Sequence, residues 1–224
     1  MSRAVRYQGT DTTDGIPTSG HQQRRVSLVA KRGLDIVGAV VGLIISSPIF
    51  ALVALTIIID DGRPVLFRQD RAGLHGRPFP IVKFRSMRRN ADEERASLRD
   101  RNEISGGASF KLTDDPRVTR SGRLLRRTSI DELPQLWNVL IGEMSLVGPR
   151  PHPFDDVAGY AEWHHRRLDM KPGITGLWQV SARSDPDFDT WVQLDLEYID
   201  HWTLSGDLRI LLKTIPAVIR ASGR

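Results

Sequence analysis

Asp131 and Glu132 are adjacent carboxylates in the stretch TSIDELPQLWN, Thr128–Asn138. Arg117, Arg120, Arg123, Arg126 and Arg127 precede them with no acid among them, and Arg150 follows in LVGPRP. Read as structure, Asp131 is a helix N-cap that puts Pro134 at the third helical position, where a missing amide hydrogen leaves no bond unmade. The rival cap, Ser129, forms a capping box with Glu132 but moves Pro134 to the fifth position, where a hydrogen bond is lost. Read as chemistry, the arginines are forks for phosphate, and a helix start adds to the attraction for anions. Nearby cations favour an ionised Asp131. An ionised carboxylate beside bound phosphate either holds a divalent metal or attacks phosphorus as a covalent nucleophile. Two or three of the five arginines suit an ordinary solvated basic face equally well.

Several elements must position this pair. Leu133–Ile141 reads as a helix with Leu133, Leu136, Trp137 and Leu140 on one face. Pro64–Gln69 and Pro78–Met87 read as two strands of a hairpin, joined by the glycine-containing DRAGLHGR. Lys83 and Arg85, on the second strand, either touch a nucleotide or lipid headgroup or pair with the acidic helix predicted over Asn90–Asn102. A further helix is expected over Pro153–Leu168, a turn-rich loop over Lys171–Gly176, and amphipathic helices over Phe188–Trp202 and Asp207–Arg220. The last of these is basic and leucine-rich, which suits a membrane surface or ordinary core packing. Glu162, His152 and His164-His165 have no recognised zinc spacing, so the histidines read as core or surface residues.

The segment LDIVGAVVGLIISSPIFALVALTIII, Leu34–Ile59, has Asp35 as its sole charge. As a straight helix it would be roughly 39 Å long, enough to cross a hydrocarbon layer of about 30 Å. Ser46-Ser47-Pro48 interrupts it at the middle. Pro48 cannot donate to the Ile44 carbonyl, and serine hydroxyls satisfy backbone groups at such a bend. Basic residues flank both ends, so the charge rule for membrane orientation decides nothing. A kinked crossing helix and a re-entrant hairpin both fit. Gly38, Gly42 and Ser46 form a small-residue stripe that suits either a homodimer or close approach of the two arms.

The whole chain has 224 residues, no cysteine, and a formal charge of +5. A disulfide framework, a thiolate zinc site and a thiol nucleophile are thereby excluded. The net charge points to an anionic partner. Residues 1–25 are polar and read as a disordered tail, without the apolar core of a signal peptide.

Taken together, the motifs resemble the bacterial sugar transferase family, the monotopic polyprenyl-phosphate sugar-1-phosphate transferases. The similarity runs in order through KRGLD, the Ser-Pro-broken segment, RQDRAGLHGRPFPIVKFRSM, TSIDELPQLWNVLIGEMSLVGPRP, KPGITGLWQVSARSD and LDLEYIDHWTLSGDLRILLKT. The resemblance implies a mainly helical α+β fold: a re-entrant membrane helix-hairpin over 26–60, then a cytoplasmic catalytic domain over 61–224 with a short β-hairpin and amphipathic interfacial helices. The break lies at Ser47 and Pro48. It also implies transfer of a sugar-1-phosphate, here of a hexose, from a UDP-sugar to undecaprenyl phosphate at the cytoplasmic face of the inner membrane, with release of UMP. Asp131 is then the nucleophile and Glu132 its partner, both at a Mg²⁺ site. Arg126, Arg150 and Arg183 bind phosphate, and Lys31, Arg32 and Asp35 meet lipid headgroups.

Inner-membrane lipid is an implied partner and nucleic acid is not. Ala182 stands where many members have glycine, a strained choice if the position is left-handed. Larger members carry an extra multi-helix membrane region, so the chain resembles the small ones. The rival reading is a membrane-anchored, non-catalytic protein that binds anionic lipid, nucleic acid or a UDP-sugar. It explains the charge and the anchor but not the carboxylate pair.

Overall fold

The computed structural model describes residues 18–105 and 109–219. A single long helix, α1 (Thr18–Asp61), opens it and runs through Pro48 without a break. Of the expected tail, residues 1–17 lie outside the described residues, and Thr18–Arg25 belongs to α1. Two separate arms joined by a turn are therefore not what this segment forms. Ser47 explains how the proline is tolerated: its Oγ donates to the Ile44 carbonyl at 2.8 Å, the acceptor that Pro48 leaves without a partner. Ser46 Oγ donates likewise to the Gly42 carbonyl at 2.6 Å.

One stripe of α1 packs on the rest of the chain. Ala39 is buried with Phe79, Ile81, Val139 and Met144, and Val53 and Ile57 are buried with Phe84 and Leu125. The opposite face leaves Val37, Ile45, Leu52 and Ile59 exposed. Ser27–Asp61 is long and apolar enough to cross a membrane. The small-residue stripe is occupied within the chain, since a Cβ on Gly38 would meet Leu146 and one on Gly42 would meet Leu136.

The headgroup expectation for the KRGLD residues is overturned. Lys31 is buried, donating to Asp207 at 2.6 Å and to the Val147 carbonyl at 2.9 Å. Arg32 donates to the Val139 and Leu140 carbonyls, both at 2.7 Å. Asp35 accepts from Ser145 Oγ and the Leu146 amide, both at 2.9 Å. These three residues clasp α1 to the catalytic unit. At the far end of α1, Asp60 accepts from the Ser121 amide and hydroxyl, at 2.8 and 2.7 Å. Arg85 pairs with the Asp61 carboxylate at 2.9 Å and donates to the Asp61 and Gly62 carbonyls. Its expected role toward a nucleotide or headgroup gives way to this one, as does pairing with the acidic segment that follows.

Beyond α1, strands β1 (Leu66–Ala72) and β2 (Pro78–Phe84) form the expected antiparallel hairpin, with Phe67 opposite Lys83 and Arg71 opposite Phe79. Directly opposed residues share a face, so Arg71, Phe79, Ile81 and Lys83 all point to one side. The acidic segment forms only the short α2 (Ala91–Glu94) and a 3₁₀ run, Ala96–Arg101. Helix α3 (Arg120–Arg127) is capped by the Thr119 hydroxyl. The next helix, α4 (Gln135–Ile141), buries Gln135, Leu136, Asn138 and Val139 and leaves Trp137 52% exposed, contrary to the apolar face read from sequence. Asn138 explains the difference. Its side chain accepts from the Val82 amide and donates to the Pro80 carbonyl, fastening α4 to β2.

A parallel pair follows that the sequence pattern missed: β3 (Ser145–Val147) with β4 (Gly173–Thr175), the latter inside the expected KPGITG loop. The helix expected over Pro153–Leu168 is split into α5 (Phe154–Val157) and a 3₁₀ run, Glu162–Asp169. Helices α6 (Leu177–Ser181), α7 (Phe188–Asp200) and α8 (Leu204–Ile219) complete the described residues. Leu208, Leu212 and Ile215 are exposed along α8.

Candidate active site

A cleft of about 900 Å³ is lined by Asp131, Glu132, Lys83, Arg126, Arg150 and Arg183 among others. All of the sequence-predicted catalytic and phosphate-binding residues thus share one concavity of a size suited to a nucleotide sugar. Arg85 also borders it, though its guanidinium is committed to the end of α1.

The carboxylate pair does not cap a helix. Ile130–Glu132 is a 3₁₀ turn entered through Ser129 at φ 56°, ψ 17°, and the residue before α4 is Pro134. A left-handed serine is strained by roughly 1–2 kcal/mol. That strained turn presents the two carboxylates in different environments. Glu132 Oε1 accepts from Lys83 Nζ at 3.1 Å and from Arg150 Nη2 at 2.5 Å, and Oε2 accepts from Arg150 Nη1 at 3.3 Å. Asp131, only 8% exposed, makes no side-chain hydrogen bond among the described residues.

The electrostatics follow from that division. Burial, and then the charge of Glu132, push the Asp131 carboxyl up to about 6 against the pull of Lys83, Arg126 and Arg150. The cations were expected to hold Asp131 low, but Glu132 has captured two of them. Burial also opposes the Glu132 charge, yet Arg150 and Lys83 hold it well below the usual carboxylate range. Lys83 is lowered to about 8, first by burial and then by Arg150 and Arg71, with Glu132 opposing. Neighbouring acids pushed apart in this way take separate chemical roles.

Arg150 is itself positioned from behind. Arg167, paired with the buried Asp195 at 2.6 Å, donates weakly to the Arg150 carbonyl at 3.4 Å. Gly148 and Gly173 let β3 and β4 approach beneath it: a Cβ on Gly173 would lie 2.1 Å from the Gly148 nitrogen. Arg71, which the sequence motifs do not single out, also lines the cleft. Its place on the same face of the hairpin as Lys83 was the available signal. Ala182 sits at φ −134°, ψ 30°, so no left-handed strain arises there. His152 and His164 are buried, as core histidines, and His164 contacts Asp189 at 3.0 Å.

As a metal site the carboxylates are a sparse donor set, because no group of three or more His, Cys, Asp or Glu converges among the described residues. Mg²⁺ commonly takes one or two carboxylates and completes its shell with water and substrate phosphate. The pair fits that pattern, with the unpartnered Asp131 as the free donor.

The sequence model of the bacterial sugar transferases matches residues 26–221. This chain belongs to the bacterial sugar transferase family. The galactosyl transferase CpsE of Streptococcus agalactiae is 48% identical over 197 residues, covering 88% of this chain and 43% of the relative. The undecaprenyl-phosphate galactose phosphotransferase of Salmonella typhimurium is 45% identical over 203 residues, covering 89% and 42%. The exopolysaccharide production protein ExoY of Sinorhizobium fredii is 40% identical over 211 residues, covering 93% of each. The chain therefore spans less than half of the first two relatives and nearly all of the third. The family match takes in the carboxylate pair, every cleft arginine named above and all of α1 from Val26 onward.

Proposed function

We propose that the chain transfers a hexose-1-phosphate from a UDP-sugar to a polyprenyl phosphate such as undecaprenyl phosphate, releasing UMP. The observation that carries this reading is the division of the carboxylate pair: Glu132 is tied to Lys83 and Arg150, while Asp131 is buried in the cleft without a side-chain hydrogen bond among the described residues. The names of the relatives, which include an undecaprenyl-phosphate galactose phosphotransferase, support it.

In this mechanism Arg126, Arg150 and Arg183 hold the diphosphate. An Asp131 carboxylate oxygen attacks the sugar-linked phosphorus. An oxygen–phosphorus bond forms as the bond to the bridging oxygen breaks, and UMP departs with that oxygen. The phosphosugar-aspartate is then attacked at phosphorus by the polyprenyl phosphate, and Asp131 leaves as a carboxylate. The acceptor is already anionic, so no strong base is required. Glu132 keeps Lys83 and Arg150 aligned and screens them from each other. Mg²⁺, held by Asp131 and Glu132 with the diphosphate, would supply neutralisation of the charge that UMP carries away.

A re-entrant α1 at the cytoplasmic face of the inner membrane suits this chemistry. Lys31 at one end and Asp60 and Asp61 at the other are fastened to the same polar unit. A helix crossing the bilayer would have to carry half of those polar contacts to the opposite side. The product would be the first lipid-linked intermediate of a polysaccharide.

The test uses purified protein in nanodiscs with undecaprenyl phosphate, Mg²⁺ and a panel of UDP-sugars, assayed separately for UMP and UDP. UMP from one donor, absent with EDTA or with Asp131→Asn, is the expected result. Release of UDP would mean transfer of the sugar alone and would sink the mechanism.

A further inference from the structure

Six buried polar atoms of residues lining the cleft lack a hydrogen-bond partner among the described residues: Arg71 Nε, Arg85 Nε and Nη1, His152 Nδ1, Trp178 Nε1 and Gln179 Oε1, the Arg85 group being committed to its ion pair with Asp61. Buried groups of this kind are rare in folded proteins and destabilise the fold until something completes them. Trp178 and Gln179 are consecutive, both at the start of α6.

Each is fixed in direction. Gln179 Nε2 donates to the Ile174 carbonyl at 3.1 Å, which orients the amide and leaves Oε1 as an acceptor only. The Trp178 ring, 6% exposed, stacks on Trp191 with centroids 4.4 Å apart and planes at 11°. Trp191 is held in turn by its Nε1, which donates to the Asp185 carbonyl at 3.0 Å. Trp178 Nε1–H is therefore a preset donor.

This pair is chemically unlike the charged groups of the cleft. The diphosphate of a nucleotide sugar has no hydrogen to offer Gln179 at neutral pH, and arginines already supply its donors. A neutral donor beside a neutral acceptor matches hydroxyl groups, which both give and accept hydrogen bonds. Arg183, just past the end of α6, borders the same cleft as Asp131 and Glu132, so the pair lies in the element next to the reacting centre.

We propose that Trp178 and Gln179 are specificity-determining residues that bind hydroxyl groups of the transferred sugar, Trp178 as donor and Gln179 as acceptor. The inference rests on the sugar-1-phosphate transfer proposed above. Uracil offers a similar donor and acceptor edge, so binding of the base instead is one outcome of the test.

The experiment compares wild type, Trp178→Phe, Gln179→Met and Gln179→Glu in nanodiscs, with thermal melting to check folding. Trp178→Phe keeps the ring and removes the N–H; Gln179→Glu keeps an acceptor. Kinetics are measured with UDP-galactose and its monodeoxy analogues, and inhibition by UMP is measured for each variant. Trp178→Phe and Gln179→Met should each lower kcat/KM for the parent sugar roughly 10-fold, the scale of one neutral hydrogen bond. Each should lose nothing further with one particular monodeoxy analogue, and inhibition by UMP should stay within about twofold of wild type. Gln179→Glu should retain most of the activity. Equal losses across every analogue, or UMP inhibition weakened by the same factor, would overturn the proposal, the latter result assigning the pair to the nucleoside. If Gln179→Met does not fold, Trp178→Phe decides alone. If wild type releases no UMP from any UDP-sugar, the transfer reading itself fails and this inference with it.

Discussion

Replacing Asp131 and replacing Glu132 are expected to have different effects, because one carboxylate is free and the other is a clamp. Asp131→Asn removes a buried charge that no hydrogen bond compensates, so its melting temperature should match or exceed that of wild type. UMP release should fall by at least about 1,000-fold, the scale for loss of a nucleophile. Glu132→Ala strands Lys83 and Arg150 without their shared acceptor. Both are partly exposed, so the loss of stability should be about 1–3 kcal/mol rather than the full value of a buried pair, read from denaturant melts. The pH dependence has a definite sign. Asp131 attacks only when ionised, and its carboxyl is raised to about 6. The rate should therefore fall as pH drops through about 6 in a kcat/KM profile. A bound divalent cation would shift that limb to lower pH, never higher. At this scale the sequence was most readable: residue types and charge spacing pointed to Asp131 and Glu132 among arginines, and the family resemblance added Arg126, Arg150 and Arg183 as phosphate binders. The division of labour between the two carboxylates was not readable, because it depends on Lys83, 49 residues away, having reached Glu132.

At the scale of elements, legibility followed length. The hairpin, α7 and α8 are long or regular enough for their periodicity to show. Strands β3 and β4, three residues each, are not, and their pairing depends on glycines that let two backbones meet. The contrast between two glycines tests this. A Cβ at Gly173 would sit 2.1 Å from the Gly148 nitrogen, whereas at Gly33 it would meet nothing within 4 Å. Gly173→Ala should sharply lower the melting temperature and the yield of folded protein. Gly33→Ala, inside α1, should raise helix stability by up to about 1 kcal/mol. The apolar face read for α4 failed for a related reason: Asn138 is buried not for hydrophobicity but because its amide joins two elements. The clasp of α1 was equally hidden, since Lys31, Arg32 and Asp35 find partners more than a hundred residues away. Lys31→Met leaves Asp207 buried without its counter-charge, though still accepting from Tyr198 and Trp202. The cost should be about 3 kcal/mol, the low end for breaking a buried pair, measured by unfolding in detergent.

At the scale of the molecule, topology is the open prediction. The chain has no cysteine, so single cysteines at Ala30 and Arg63, both exposed, can be labelled against a clean background. In membrane vesicles a re-entrant α1 should let an impermeant maleimide reach both positions from the same side. Labelling from opposite sides would establish a crossing helix. The apolar run itself was plain in the sequence. Its burial against the catalytic unit along one stripe was not, because a lipid-facing stripe and a core-facing stripe are written in the same residues.

The contact between Lys31 and Asp207 also bears on how the protein is made. The two residues are 176 positions apart, so one leaves the ribosome near the beginning of translation and the other near its end. Until Asp207 is made, Lys31 has no counter-charge, whereas the partners that bury Ala39, Val53 and Ile57 are all present once the chain has reached Met144. The apolar stripe of α1 can thus be buried before the polar latch at its Lys31 end is able to close. A chain truncated before Asp207 would therefore keep the apolar α1 yet lack the latch at its Lys31 end.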